Sequence, residues 1–266
     1  MYKFRADLHA HTTCSDGTFS PVQLVEHAVK IGLQGLSITD HDSIDAYETA
    51  IPRAKELGLL LGTGVEFSSQ FRNANVHILG YNYRLEDFEL RAFCKRHQER
   101  REKRNLAILE KLKTHAMPIE KEELVGNTIG RPHIAQLMVQ KKYVASIKEA
   151  FAFYLGDNKI CYAPSEFFSI EETISVIQKA GGLAFLAHPH LLEQGRIVKE
   201  ILQFPFNGIE CYYSRCQLDK EKRWIDIAKK KGLLISGGSD FHGTIKPDIP
   251  LGCSWVDESI FHQIFG

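Results

Sequence analysis

Phe4-Arg5-Ala6-Asp7-Leu8-His9-Ala10-His11-Thr12-Thr13-Cys14-Ser15-Asp16-Gly17-Thr18 is a short run of alternating apolar residues that ends abruptly in two histidines and a carboxylate. His9 and His11 are two residues apart, so on an extended strand their side chains share one face and both imidazoles can reach a common ion. Asp16 stands directly before Gly17, a pairing that favours a tight turn and can bring the carboxylate back toward the histidines. A bare His-x-His also arises by chance in solvated turns, so the reading depends on what the rest of the chain supplies.

Outward from this stretch, short β runs alternate with amphipathic helices to about residue 85. Ser20-Pro21-Val22-Gln23 reads as an N-cap, a proline at the first helical position and a capping-box Gln, opening a helix that ends at Gly32. Leu36-Ser37-Ile38-Thr39 reads as a strand that runs into Asp40-His41-Asp42. A helix over 46–57 closes at Gly58, and Leu59-Leu60-Leu61 then leads to Gly64-Val65-Glu66. Beyond a polar loop around 73–75 comes Val76-His77-Ile78-Leu79-Gly80. This rhythm predicts a parallel α/β sheet or barrel.

The rhythm breaks over 86–159. Leu90, Phe93, His97, Ile108 and Leu112 recur at helical spacing, which predicts one long helix with one buried stripe, ended by Pro118. A second helix starts near Arg131-Pro132 and carries Ile134, Leu137 and Met138; a third includes Ala150, Phe153 and Tyr154. Residues 86–159 therefore read as a helical insertion into an α/β domain formed by 1–85 and 160–266. Between 95 and 113 there are eight Lys/Arg and three Glu, a net of +5. That element either faces a polyanion or is a solvated helix with internal ion pairs such as Glu99 with Lys103.

After Tyr162-Ala163-Pro164 the rhythm returns. Ser169-Ile170-Glu171-Glu172 is a second capping box, with Gly181-Gly182 ending its helix. Leu183-Ala184-Phe185-Leu186-Ala187 runs into His188-Pro189, and Gly208-Ile209-Glu210-Cys211-Tyr212 is the next strand. A helix over 218–230 closes at Gly232, and the strand Leu233-Leu234-Ile235-Ser236 ends in Gly237-Gly238-Ser239-Asp240-Phe241-His242-Gly243. There is no internal repeat.

Composition requires any nucleic-acid or anionic-membrane partner to be held by a local patch. The 266 residues carry 33 Lys+Arg against 33 Asp+Glu, so no global field attracts nucleic acid or an anionic membrane. Residues 1–7 lack the apolar core of a signal peptide and no run is long enough to span a bilayer, so a cytoplasmic protein is expected. No obligate protein partner is evident. The six cysteines show no close paired spacing and read as free thiols. Cys94 and Arg100 match a Cys-x5-Arg phosphatase pattern by chance, since the stretch is helical and has no glycine to build a phosphate loop.

The chemically useful residues line up: His9, His11 and Asp16 after the first strand, His41 after the second, Glu66 after the third, His77 on the following one, His188, and finally Asp240 with His242. Their expected place is at or just past C-terminal strand ends, where α/β barrels assemble active sites. His27, His97, His115, His133, His190 and His262 lie mostly on helices or loops, where a structural role is favoured. Six imidazoles and three carboxylates exceed the needs of one ion, so two or three are expected. The mixture suits Mn, Fe or Zn over Mg or Ca. In multinuclear hydrolytic sites one ion supplies hydroxide and its neighbour clamps a substrate oxygen, and phosphate esters are the natural substrate.

Asp7-Leu8-His9-Ala10-His11, Ser15-Asp16-Gly17, Thr39-Asp40-His41-Asp42, Gly64-Val65-Glu66, His77-Ile78-Leu79-Gly80, Ala187-His188-Pro189 and Gly238-Ser239-Asp240-Phe241-His242-Gly243 together resemble the ordered motifs of the polymerase and histidinol phosphatase (PHP) superfamily. Gly130-Arg131-Pro132-His133-Ile134-Ala135 resembles the subgroup of nucleotide phosphatases that remove the 3′-phosphate of 3′,5′-nucleoside bisphosphates, some of which also trim short RNAs from the 5′ end. The resemblance implies a distorted seven-stranded (β/α) barrel with a helical insertion as substrate cap and a trinuclear site, with manganese the expected metal. Carried over residue by residue, His9, His11, Glu66 and Asp240 hold one ion, Glu66, His77 and His188 a second, and Asp16, His41 and His242 a third. Glu66, Asp240 and His188 are then the expected catalytic residues, with Arg131 and His133 binding substrate. The sequence departs from the subgroup at His190-Leu191-Leu192, where an Arg often follows, and at Arg215-Cys216, where a His often stands.

The expected activity is metal-dependent hydrolysis, by metal-bound hydroxide, of the 3′-side phosphate of a 5′-phosphorylated nucleotide or short RNA. The alternatives are a histidinol-phosphate or other small-metabolite phosphatase and, from another class, a non-catalytic metal-binding scaffold. Loss of several ligands would point to the scaffold, and all nine positions are filled by residues able to ligate.

Overall fold

The structure, a computed structural model, describes residues 4–72, 74–126, 128–192 and 195–266. It divides into two compact units, Met1–Phe93 with Phe167–Gly266, and Cys94–Glu166. The first unit opens with β1 (Ala6–Ala10), α1 (Pro21–Lys30), β2 (Gly35–Ile38), α2 (Tyr47–Leu57), β3 (Leu60–Phe71) and β4 (Ala74–Tyr81). Helix α1 begins as its sequence dictates: the Ser20 hydroxyl accepts from Gln23 N, the Gln23 side chain returns to Ser20 N, and Pro21 occupies the first turn. Gly58 closes α2 in the left-handed conformation, φ 70°.

One expectation is corrected here. β4 runs antiparallel to β3 and to β5 (Leu183–Leu186), so the sheet is mixed. Only residues 72 and 73 separate β3 from β4, too few for the crossover that parallel strands need, so the pair forms a hairpin. Arg72 has φ 52°, residue 73 lies outside the described residues, and Ala74 and Asn75, expected in a loop, belong to β4. β3 is also longer than expected, continuing past Glu66 to Phe71.

Helix α3 (Phe88–Thr114) runs on into the second unit. Leu90, Phe93, His97, Ile108 and Leu112 are all buried, as the helical spacing predicts. The helix stops before Pro118. Ala116 takes φ 58°, Met117 N donates to Leu112 O and Ala116 N to Lys113 O, so a left-handed C-terminal cap ends it. The second unit continues with α4 (Arg131–Gln140), α5 (Ile147–Ala150) and a π-helical turn, Phe151–Leu155. Its own core gathers Ile108, Leu112, Met117, Ile134, Met138, Ala150 and Leu155.

The first unit resumes with α6 (Ile170–Lys179), capped by the Ser169 hydroxyl accepting from Glu172 N, then β5, α7 (Gly195–Ile201), β6 (Gly208–Tyr213), α8 (Leu218–Lys231), β7 (Leu234–Gly238) and α9 (Glu258–Phe265). All seven strands form one sheet in chain order, β1 to β7. The sheet curls into a nearly closed barrel: just beyond β7, Asp240 N donates to His9 O at 2.8 Å, and His11 N donates to Phe241 O at 2.9 Å. The register shifts in β1 between Asp7 and Ala10 and in β6 between Glu210 and Tyr212, so bulged strands carry His9 and flank Glu210. Ala6, Leu8, Leu79, Tyr81, Phe185, Val256 and Phe261 make up a buried core that includes β1 and α9.

The closure depends on a close approach at Gly238, where a Cβ would lie 2.3 Å from His9 N and 2.5 Å from His9 Cβ. Overpacking against backbone costs about 1–3 kcal/mol. Gly238→Ala should therefore lower the urea midpoint clearly more than Gly232→Ala. At Gly232 a Cβ meets nothing within 4 Å and only the left-handed backbone, φ 67°, is penalised, by ~1 kcal/mol. Equal losses in the two variants would show that the β1–β7 seam tolerates a side chain there.

Candidate metal centre

His9 and His11 leave β1 on one face, with ring centroids 5.2 Å apart. The loop after them is held by Asp40, whose carboxylate accepts from Thr12 N at 2.7 Å and from the Thr12 and Ser15 hydroxyls at 2.5 Å each. That brings Asp16 back to within 3.2 Å of His242 Nε2 and 3.7 Å of His11 Nδ1. Asp42, next to His41, accepts from Ser68 N at 2.8 Å, and an isolated bridge pairs His41 with Glu66.

Glu66 is at the centre. Its side chain is 1% exposed; Oε1 lies 2.8 Å from His77 Nδ1 and 2.9 Å from His188 Nε2. Oε2 lies 3.2 Å from each of His9 Nε2, His11 Nε2 and His41 Nδ1. Asp240 Oδ1 completes the group, 3.2 Å from His11 Nε2. All nine expected side chains are thus brought together. The donor atoms of eight fall into overlapping sets, His9, His11, Glu66 and Asp240; His11, Asp16, His41 and His242; and His41, Glu66 and His77, while His188, expected with Glu66 and His77, joins through Glu66 Oε1 alone. His77 arrives from the first half of β4, and Glu66 from mid-β3, rather than from C-terminal strand ends. The reversed direction of β4 puts its beginning beside the ends of its neighbours.

The donor set fits divalent cations. Both ring nitrogens of His11, Asp16 Oδ1 and His41 Nδ1 are buried without a hydrogen bond of acceptable geometry, although carboxylates stand 3.2 Å from some of them. Atoms that converge without bonding one another are arranged around a common third partner. Charge agrees with this. Burial by itself raises the Glu66 carboxyl, but His41, His77 and His9 outweigh it and hold the group well below the usual carboxylate range. Burial lowers His11, yet Asp240, Glu66 and Asp16 carry it up to about 9, so the carboxylates hold on this ring a proton that a bound cation would displace. His41, where burial dominates, is pushed down to about 3 against the pull of Glu66 and Asp16.

A further layer of residues orients these rings, and no role for it is apparent in the sequence. Glu210, fully buried in β6, takes His9 Nδ1–H at 2.7 Å and His188 N–H at 2.7 Å, leaving His9 Nε2 for the centre. The Asp240 backbone carbonyl accepts from His242 Nδ1 at 2.9 Å, leaving its Nε2 free in the same way. Asp7 accepts from His9 N, Ser239 N and Gly252 N, and burial pushes its carboxyl up. Tyr213 OH and Lys246 Nζ both donate to Asp240 Oδ2 at 2.6 Å. A carboxylate in mid-strand between apolar neighbours, as in Gly-Ile-Glu-Cys-Tyr, was the available signal for Glu210. The backbone is strained here too: φ is 24° at His188, 57° at Asp240 and 54° at Asp42.

The two expected substrate residues lie in the second unit. Arg131 NH1 donates to Leu155 O at 3.1 Å and to Asp157 Oδ1 at 2.7 Å, and His133 Nδ1 accepts from Gly130 N at 3.0 Å at the start of α4. His190 packs its ring on Tyr213, centroids 4.5 Å apart, and so borders the centre. Cys94 is buried within helix α3, and none of the six cysteines is in a disulfide. No helix is long and apolar enough to cross a membrane among the described residues.

A nearly closed α/β barrel with overlapping sets of buried imidazoles and carboxylates defines a metal-binding hydrolase. The sequence profile of the PHP domain matches residues 7–160, and the chain belongs to that family. It is 33% identical over 262 residues to a 5′-3′ exoribonuclease of Haemophilus influenzae, covering 94% of this chain and 92% of the relative. It is 29% identical to a 3′,5′-nucleoside bisphosphate phosphatase of Chromobacterium violaceum, covering 89% and 86%. A solved structure described as a metal-dependent phosphoesterase from Bifidobacterium adolescentis superposes with a TM-score of 0.88 at 30% identity, over 97% of this chain and 94% of that one. The protein is a phosphoesterase of the hydrolase class.

Glu210→Gln removes the charge behind His9 while keeping the shape of the side chain. Loss of such a partner typically weakens metal affinity about ten- to a hundredfold. Calorimetric titration with Mn should show that loss with an unchanged circular dichroism spectrum. Parent-like affinity would mean that Glu210 only fills the core.

Proposed function

We propose that this phosphoesterase cuts the ester on the 3′ side of a 5′-phosphorylated nucleotide, with inorganic phosphate or the remainder of a short RNA as the leaving portion. The observation that carries this reading is the end-to-end likeness to a 5′-3′ exoribonuclease, joined by likeness to a nucleoside bisphosphate phosphatase. One site serves both if it recognises a 5′-phosphate and acts one ester further along.

In this reading His9, His11, Asp16, His41, Glu66, His77, His188, Asp240 and His242 hold two or three divalent ions, manganese being the expected one. When bound, the ions supply Lewis acidity toward phosphoryl oxygens and a nucleophile at neutral pH. The chain's own part is to orient and to neutralise. Glu66 divides its two oxygens between His77 with His188 and His9, His11 with His41, so it is the natural bridge between donor sets. Glu210 fixes the His9 tautomer and the strained backbone at His188. In the helical unit, Arg131 stands at the amino end of α4, where its guanidinium and the helix dipole both favour a phosphate. Asp157 occupies that guanidinium at 2.7 Å, so a substrate phosphate has to compete with a carboxylate for it.

Two measurements test the proposal. Chelation with EDTA should abolish hydrolysis of adenosine 3′,5′-bisphosphate, and Mn should restore it; full activity in EDTA would remove the metals from the reaction. A charged hydrogen bond to phosphate contributes about 1.5–3 kcal/mol, so Arg131→Ala should lower kcat/KM for the 3′,5′-bisphosphate roughly ten- to a hundredfold. The same variant should leave a nucleoside 3′-monophosphate nearly unaffected. Equal losses on both substrates would assign Arg131 to the fold, and faster turnover of histidinol phosphate than of either nucleotide would favour a small-metabolite phosphatase.

A further inference from the structure

Asp240 uses its two carboxylate oxygens for different purposes. Oδ1 faces the ring nitrogens of His9, His11 and His242 at 3.5, 3.2 and 3.4 Å. Oδ2 is turned away from them and is held twice, by Tyr213 OH and by Lys246 Nζ, each at 2.6 Å. One neutral donor satisfies that oxygen, and Tyr213 already provides it, so the ammonium is not needed to prevent a buried orphan. Lys246 differs from its two partners in exposure. Its side chain is 36% exposed, whereas Asp240 is 7% and Tyr213 8%. Of its three N–H donors, one is used on Asp240.

Its position is built as firmly as the ligands are. The turn Gly243–Ile245 follows His242 directly, and Thr244 N donates to Thr18 Oγ1 at 3.0 Å, tying this turn to the loop that carries Asp16. Ile249 N then closes on Lys246 O at 3.0 Å. The turn thereby carries a partly exposed ammonium that bonds Asp240 and stands one carboxylate away from the histidines, with donors to spare.

We propose that Lys246 is a phosphate-binding residue of this site: its ammonium, resting on Asp240 Oδ2, takes a peripheral oxygen of the phosphoryl group that occupies the centre. The proposal rests on the phosphoesterase reading and not on which ester is cut. A compact ammonium with rotatable donors can keep Asp240 and add a phosphate oxygen at once, which a guanidinium with its fixed fork does less well. It also offsets charge where a phosphate dianion comes up against the carboxylates of Asp240, Asp16 and Glu66.

The test uses inorganic phosphate and the full-length Mn-loaded protein, so its outcome is independent of the true substrate. Metal content is measured by elemental analysis and phosphate affinity by isothermal titration calorimetry, for the parent, Lys246→Met and Lys246→Arg. Lys246→Met should keep the parent's metal content and bind phosphate at least tenfold more weakly, and Lys246→Arg should recover part of the loss. Phosphate affinity within twofold of the parent in Lys246→Met overturns the proposal. Loss of metal in step with phosphate affinity also overturns it, because Lys246 would then act only through Asp240. A crystal structure of the parent with Mn and phosphate decides the matter without any variant: Nζ within hydrogen-bond distance of a phosphate oxygen supports the proposal, and Nζ on Asp240 alone with phosphate elsewhere in the centre rejects it.

Discussion

A carboxylate that is 1% exposed and ringed by five imidazoles is the constraint to which the rest of the barrel answers. Burying Glu66 without compensation would be prohibitive, and its neighbours are the compensation. They come from β1, from the loop after β2, from β4 and from the turn after β5, so four parts of the sheet have to converge on one side chain. The antiparallel hairpin is what makes that possible. Only by doubling back does β4 present His77 at the place where parallel strands present their ends.

Around this core a second set of buried polar groups does the aiming. Asp7, Asp40, Asp42 and Glu210 are each buried and each accept hydrogen bonds from residues that carry or adjoin the central side chains. Burial pushes Asp7 and Asp40 up, and their backbone and hydroxyl donors work against it. The positive φ angles of His188 and Asp240 belong to the same design. Each strained residue is anchored by its own N–H, to Glu210 Oε2 and to His9 O respectively, so the strain is held by hydrogen bonds that the fold supplies.

Much of this was legible because its causes are local. The Ser20–Gln23 capping box, the closing glycines 58 and 232, and the buried stripe of α3 follow from residues within a few positions of one another. The ordered His and Asp motifs were equally plain, since each sits where an apolar run stops. The hairpin was not, because Arg72 adopts its left-handed turn without the glycine that usually announces one. Neither were Glu210 and Lys246. Glu210 depends on a partner 201 residues away that only the closed sheet brings near, and Lys246 on a turn that folds it back onto Asp240 six residues before it. The end of α3 shows the opposite error: Pro118 looked like the stop, but an alanine in an unusual conformation had already ended the helix.

The seam between β1 and β7 has one more consequence. Asp240 N to His9 O and His11 N to Phe241 O are contacts between the first and the last staves of the barrel, made by the residues that also line the centre. On a ribosome, residues 9 and 11 emerge more than two hundred positions before residue 242, so the two sets that include Asp240 or His242 are completed long after the set of His41, Glu66 and His77. Closing the barrel and completing the sets that hold Asp240 and His242 are therefore one event, reached only when the last strand joins the first.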